Sequence, residues 1–124
     1  MQTIGKVNIT IFEKDFGKLQ TTEVVLTMER EVHIKAHHAD DYRLFELYSK
    51  EIVSTPDMVL RDEKNVGTVL MIKRLPDTNL NAVIRLALES DIEGHKNSIM
   101  TFYRIRERNL DKLISKNKVI YKKE

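Results

Sequence analysis

The chain has 124 residues, 41% of them hydrophobic, with 21 Lys and Arg against 19 Asp and Glu. This length suits one domain with one core, so we expect a single domain over residues 1–124. The chain has no cysteine, which excludes disulfides, thiol nucleophiles and Cys-based metal sites. No apolar run reaches the roughly 18 residues of a membrane span, and the N-terminus lacks a signal-peptide pattern. We therefore expect a soluble, cytoplasmic protein with no membrane partner.

The N-terminal quarter predicts a hairpin. Residues 7–11 alternate apolar and polar side chains, which is typical of a half-buried strand, and residues 22–27 predict its partner. Asp15-Phe16-Gly17-Lys18 has the composition of a turn between them. We expect the hairpin to lie within residues 5–27.

The next segment predicts helices. Thr27 is a suitable N-cap, and the acidic residues that follow it complement the helix dipole. An apolar stripe at helical spacing continues the pattern, and Pro56 ends it. The stripe consists of Leu44, Phe45, Tyr48 and Ile52.

The C-terminal half predicts mostly strands. We expect strands over residues 58–60, 68–73, 82–88 and 98–105, a short helix around residues 110–114, and a closing strand over residues 119–121. Strands that follow helices, rather than alternate with them, indicate an α+β fold with one sheet packed on helices.

Charge is concentrated near the C-terminus. Residues 96–123 contain nine Lys and Arg against two Asp and Glu, whereas residues 1–62 are net acidic. A basic surface attracts phosphate backbones through Coulomb attraction and counterion release, although an ordinary solvated helix and tail give the same pattern. The cations that we assign to an RNA backbone are Lys96, Arg104, Arg106 and Arg108.

Three of the four histidines fall within His33-Ile34-Lys35-Ala36-His37-His38. The unperturbed pKa of imidazole is about 6.5, so two histidines can act as acid and base in one site. At 100° per residue, His33 and His37 lie about 40° apart on a helix, whereas His33 and His38 lie about 140° apart. Helical spacing thus favours His33 with His37, and a helix that ends near Ala39 would bring in His38.

Two other interpretations of this cluster stay open. The histidines can be a polar helix face with no chemical role. Alternatively, His33 and His37 have the spacing of a zinc pair, with Asp41 or His95 as the third ligand. However, Ile34 occupies the position where the metalloprotease motif has glutamate.

The order of these elements resembles the phage-associated branch of the barnase–EndoU–colicin–RelE-like nucleases, over about residues 23–123. The resemblance implies an α+β fold with the hairpin and helices packed on a mainly antiparallel sheet of about four strands. It also implies RNA cleavage, often as a toxin, in the host cell of a phage or mobile element. The residues that carry it are Thr27, residues 33–38, residues 56–60, Lys64-Asn65, Thr68 to Lys73, Val83-Ile84, residues 98–101 and Tyr121-Lys122.

One position departs from the family pattern. The residue before the second histidine is usually arginine, whereas this chain has His37 there. A phosphate-binding role at that position is therefore not implied.

The predicted chemistry is RNA cleavage without a metal or cofactor. A base removes the 2′-hydroxyl proton, the oxygen attacks phosphorus, and an acid protonates the leaving oxygen, each proton transfer contributing about 10²–10⁴ in rate. We assign His33 and His38 to the proton transfers, with His37 and Tyr103 as possible additional residues. Cations at the phosphate are Lys73 and Arg85, and hydrogen-bond donors are Ser98 and Thr101. The last two lie three apart, so they share a face only if a bulge intervenes.

The alternative function is a non-catalytic, phage-derived binding or inhibitor protein with a nuclease-like fold. The expected partners are RNA, such as tRNA or another structured RNA, and a protein inhibitor or host protein. In either case Tyr103 can stack on a base or simply pack against the sheet.

Overall fold

A computed structural model describes residues 1–124. The strands are β1 (Gln2–Lys6), β2 (Glu23–Leu26), β3 (Met58–Arg61), β4 (Thr68–Arg74), β5 (Asn79–Arg85), β6 (Asn97–Ile105) and β7 (Lys118–Lys122). The helices are α1 (Glu13–Phe16), α2 (Met28–His37), α3 (Tyr42–Ser54) and α4 (Glu107–Lys116). None of these helices is long and apolar enough to cross a lipid bilayer.

All seven strands form one mixed sheet in the order β1-β2-β6-β5-β4-β3-β7. Every neighbouring pair is antiparallel except β2 and β6, which are parallel. The α+β class is consistent with this architecture, but the expected sheet of about four strands is wrong. Strands β3 to β6 form an antiparallel centre, and β7 extends it on one side while β2 and β1 extend it on the other.

The N-terminal hairpin differs from its prediction. Residues 7–11 do not form a strand, because Ile9–Ile11 is a 3₁₀ turn. The side-chain oxygen of Asn8 accepts a hydrogen bond from the Thr10 amide at 3.1 Å, and such local bonding competes with strand pairing. The first strand is instead β1, which pairs with β2 across the long connection formed by residues 7–22.

The sheet is covered on both faces. Side chains of α2 and α3, including Ile34, Phe45 and Ile52, pack with Phe102 in the larger core cluster. Leu110 of α4 belongs to a second cluster with residues of β3, β4 and β6. The two clusters take alternate residues of β4, so they lie on opposite faces of the sheet.

Helix α2 lies beside an open part of the sheet. Strand β2 pairs with β6 only through Val24 with Asn97 and Val25 with Ser98. Beyond these pairs α2 runs next to β6, and the Arg30 guanidinium donates to the Met100 carbonyl at 3.5 Å. The predicted N-cap is confirmed, since the Thr27 hydroxyl oxygen accepts from the Arg30 amide at 3.2 Å. The edge of β6 is thus covered by a helix rather than by another strand.

Two substitutions on α3 test this packing. Phe45 is 3% exposed and its ring meets that of Phe102 edge-on, with 5.1 Å between centroids, whereas Leu47 on the same helix is 64% exposed. We expect Phe45→Ala to lower the free energy of unfolding by about 3–5 kcal/mol and Leu47→Ala to change it by less than about 0.5 kcal/mol. Urea unfolding measures both, and equal losses would contradict the packing of α3 on the sheet.

Candidate functional site

The three clustered histidines meet where α2 ends. The helix stops at His37, and His38 leaves helical geometry before the 3₁₀ turn at Ala39–Asp41. The ring centroid of His33 lies 4.7 Å from that of His37 and 6.5 Å from that of His38. The end of the helix therefore brings both alternative pairs together. We call His33, His37 and His38 the histidine cluster.

The histidine cluster adjoins strand β6 through an aromatic contact. The rings of His38 and Tyr103 are stacked, with 5.4 Å between centroids and 28° between planes. The Tyr103 hydroxyl accepts a hydrogen bond from the side-chain amide nitrogen of Asn81 at 3.0 Å. This contact places His38 beside the face of the sheet on which Tyr103 and Asn81 are register partners.

A β-bulge in β6 places Ser98 and Thr101 on the same face of the sheet, although they lie three residues apart. Val83 pairs with Thr101 and Ile84 with Ile99, so Met100 is an extra residue in β6. The bulge shifts the alternation by one, and Ser98, Thr101 and Tyr103 consequently lie on one face. Two predicted hydroxyl donors therefore share a face with the residue that contacts His38. We call this the site face.

Two buried polar atoms on the site face have no hydrogen-bond partner. They are the side-chain oxygen of Asn81 and the hydroxyl of Thr101. Asn81 is fully buried in the middle of β5, and the sequence analysis missed it. A polar side chain inside an apolar strand was the available signal, because burying such a group is costly unless it is paired.

Arg30 is a second residue that sequence reasoning missed. It lies three residues before His33 and seven before His37, so the three side chains share one face of α2. Arg30 forms no ion pair, and its positive charge is among the causes that lower the pKa of His33. The sequence signal that could have identified Arg30 is the helical spacing that also links His33 with His37.

His33 is electrostatically distinct within the cluster. Desolvation is the main cause that lowers its pKa below the usual value, and the neighbouring positive charges of His37, Arg30 and His38 add to it. A lowered pKa leaves the imidazole neutral and able to accept a proton at neutral pH.

Arg85 lies on the site face but its guanidinium is already engaged. It donates to Asp91 at 3.0 Å and to the Leu86 carbonyl. The Leu88 amide and Arg85 hold the pKa of Asp91 below its usual range. The guanidinium also covers Gly67, which has a φ of +77°. Arg85 thus anchors the loop after β5, and this arrangement leaves it less free to bind a phosphate.

Lys73 is not brought to the histidine cluster. It pairs in register with Leu80, whose side chain belongs to the core under α3. Its ammonium group lies 3.5 Å from Glu51 and 3.7 Å from Asp57. Lys73 therefore occupies the face of the sheet opposite Thr101 and Tyr103.

The four cations assigned to an RNA backbone divide into two pairs. Lys96 is bonded to Glu23 at 2.9 Å, and Arg104 to the buried Asp41 at 2.5 Å. Arg106 and Arg108 are exposed and form no ion pair with a carboxylate. Arg106 and Arg104 also line a polar cleft of about 400 Å³ with Asp41 and Asp77.

The zinc interpretation finds no third ligand. No group of three or more His, Cys, Asp or Glu side chains is arranged to hold a metal ion. Asp41 is bonded to Arg104, and His95 lies in the exposed loop before β6. His33 and His37 therefore have no third zinc ligand beside them.

Comparison with protein-family models, with curated proteins and with solved structures gave no match for this chain. Any function proposed for the site accordingly rests on its own geometry and on the pattern of the sequence.

The charges around His33 can be tested by NMR titration. Arg30→Gln and His37→Asn each remove a positive neighbour, so we expect the pKa of His33 to rise toward its ordinary value of about 6.5 in both variants. Lys35→Gln is the matched control, because Lys35 lies on another face of α2 and pairs with Glu31. An unchanged His33 pKa in the first two variants would contradict the cluster geometry.

The lowered pKa of His33 also determines the direction in which the free energy of unfolding changes with pH. Between the lowered folded pKa of His33 and the unfolded value near 6.5, the unfolded chain binds more protons. The contribution of His33 to the free energy of unfolding therefore falls as the pH is lowered through this window.

The anchoring role of Arg85 can be tested at two glycines. Gly67 and Gly94 both have positive φ, so alanine at either costs about 1–2 kcal/mol of backbone strain. A β-carbon at Gly67 would in addition meet the Arg85 guanidinium, whereas one at Gly94 meets nothing. We expect Gly67→Ala to lower the free energy of unfolding more than Gly94→Ala does. Equal losses in urea unfolding would mean that Arg85 moves aside freely.

Proposed function

We propose that this chain is a small endoribonuclease that cleaves RNA by attack of the 2′-hydroxyl, without needing a metal. The observation that carries the proposal is the pairing of His33 and His38, with 6.5 Å between ring centroids, beside the hydroxyl-bearing site face. Two imidazoles at such a distance can reach opposite ends of one phosphodiester linkage. The proposed substrate class is RNA, such as tRNA or another structured RNA.

In the proposed mechanism His33 is the base. Its neutral imidazole takes the 2′-hydroxyl proton, and the oxygen attacks the adjacent phosphorus. The bond from phosphorus to the 5′-oxygen breaks, and His38 donates a proton to that oxygen. The products are a 2′,3′-cyclic phosphate and a 5′-hydroxyl, so atoms and protons balance.

Charge developing on the phosphoryl oxygens needs donors nearby. Arg30 is the unpaired cation next to His33, and the hydroxyls of Ser98 and Tyr103 lie on the site face. Arg85 and Lys73 are held by carboxylates. Ser98 and its register partner Arg85 lie toward the other end of β6 from Tyr103, so we assign phosphate stabilisation to Arg30 and the Tyr103 hydroxyl.

The resemblance to phage-associated nucleases supports the same function and suggests action in the cytoplasm of a host cell. The seven-stranded sheet departs from the four-stranded core that the resemblance implies. The proposal therefore depends on the histidine cluster and on the residue pattern.

One observation favours a second function, a non-catalytic binding or inhibitor protein with RNA or a host protein as partner. Four predicted phosphate-binding cations are neutralised by carboxylates, namely Lys73, Arg85, Lys96 and Arg104. A site that turns over RNA usually keeps cations free for the charged transition state. This alternative retains binding and loses cleavage.

Cleavage of end-labelled RNA in EDTA tests the proposal. We expect His33→Ala and His38→Ala each to lower the cleavage rate by about 10²–10⁴, because each removes one proton transfer. His95→Ala is the matched control, since His95 is exposed and lies outside the histidine cluster. The fragments should end in a 2′,3′-cyclic phosphate.

Two results would contradict the proposal that this chain is a nuclease. Equal rates in His33→Ala and the unsubstituted chain would remove the proposed base. Intact RNA at every concentration, combined with salt-sensitive RNA binding, would favour the binding protein instead.

A further inference from the structure

The site face continues past Tyr103 into a second cleft. This cleft lies between α4 and the loop that joins β3 to β4, and its volume is about 290 Å³. That volume lies just below the roughly 300–1,000 Å³ of small-ligand sites. Its floor and inner wall are formed by Leu70, Val83, Tyr103 and Leu113. An apolar, partly aromatic floor of this size suits one planar ring.

The two walls of the cleft are tied together. The Asn117 side-chain oxygen accepts from the Glu63 amide at 2.9 Å, and its nitrogen donates to the Leu113 carbonyl at 3.0 Å. In the loop, the Asp62 carboxylate accepts from the Lys64 and Asn65 amides at 2.9 and 3.3 Å. The cleft is thereby built before any ligand arrives, which reduces the ordering cost of binding.

The rim of the cleft carries groups that suit a nucleotide. Lys64 and Lys116 are exposed and form no ion pair. The Glu63 carboxylate and the Asn65 side-chain oxygen are free acceptors, whereas Asp62 is occupied by the loop amides. Free lysines suit phosphate groups, and free acceptors beside an aromatic floor suit the polar edge of a base.

Tyr103 connects this cleft to the histidine cluster. Its ring is stacked with His38 and also lines the cleft. In the proposed mechanism His38 protonates the leaving 5′-oxygen, and that oxygen belongs to the nucleotide on the 3′ side of the cleaved phosphate. The cleft is therefore one side chain away from the leaving group.

We propose that the cleft between α4 and the β3–β4 loop binds the base of the nucleotide on the 3′ side of the cleaved phosphate, with Lys64 and Lys116 on the following phosphate. The inference rests on the proposed function, because the cleaved bond defines the 3′ side. It assigns a substrate-selecting role to a surface that meets the residues of the proposed chemistry only at Tyr103.

NMR titration of the ¹⁵N-labelled full chain tests the inference without requiring cleavage. The probe is a 2′-O-methyl dinucleotide with a 3′-terminal phosphate, and two further probes lack either the 5′-side or the 3′-side base. We expect the side-chain amide signals of Asn65 and Asn117 to shift. Removing the 3′-side base should weaken binding at least about fivefold, the lower end for one stacked base, and should abolish those shifts.

Lysine variants test the second half of the inference. Lys64→Ala and Lys116→Ala should each weaken binding several-fold and reduce its salt dependence, but only when the probe carries the terminal phosphate. Lys50→Ala is the matched control, because Lys50 is an exposed cation on α3, across the sheet from α4.

The outcomes separate this inference from the nuclease. If the NMR signals of the histidines shift but the side-chain amide signals of Asn65 and Asn117 do not, base binding in the cleft is contradicted and the nuclease proposal is unaffected. Equal loss of affinity on removing either base would overturn the assignment to the 3′ side. Shifts in the cleft with native RNA left intact would support base binding there and refute the nuclease.

Discussion

The structure depends on how helix α2 covers the edge of β6 that β2 leaves unpaired. Strand β6 is the longest strand, yet β2 pairs with only its first two residues. An uncovered edge exposes backbone donors and acceptors to other chains. Here the chain turns from β2 into α2 at Thr27, so the helix takes the place that a longer strand would have occupied. Arg30 lies next to the sheet as a consequence, and its guanidinium donates to the Met100 carbonyl.

Local signals predicted much of this arrangement. The Thr27 cap, the apolar stripe of α3 and the strands on either side of Gly67 depend on residues close in sequence, and all of them are present. The first strand was missed for two reasons. The Asn8 side chain overrides an alternation that otherwise reads as a strand, and β1 pairs with β2 across the long connection formed by residues 7–22. The closing strand, expected over residues 119–121, is present as β7.

In the candidate site, too, local sequence predicted some features and missed those that depend on the fold. Helical spacing identified the histidines, but the sequence could not say whether Ser98 and Thr101 share a face, because a single extra residue at Met100 decides it. Nor could it show which cations are free. Arg104 is paired with Asp41, 63 residues away, and Lys96 is paired with Glu23, 73 residues away. Such pairs are set by the topology of the sheet.

In the proposed mechanism the histidine cluster supplies both the base and the acid. Neighbouring imidazoles repel each other's protons, so the second proton binds less readily than the first. Desolvation is the main cause that lowers the pKa of His33, and the neighbouring positive charges add to it. Sites in which the environment pushes two titratable groups apart can hold one as base and the other as acid at the same pH. On α2 itself, His33 is half-buried whereas His37 is exposed, so the two imidazoles of the helix lie in different environments.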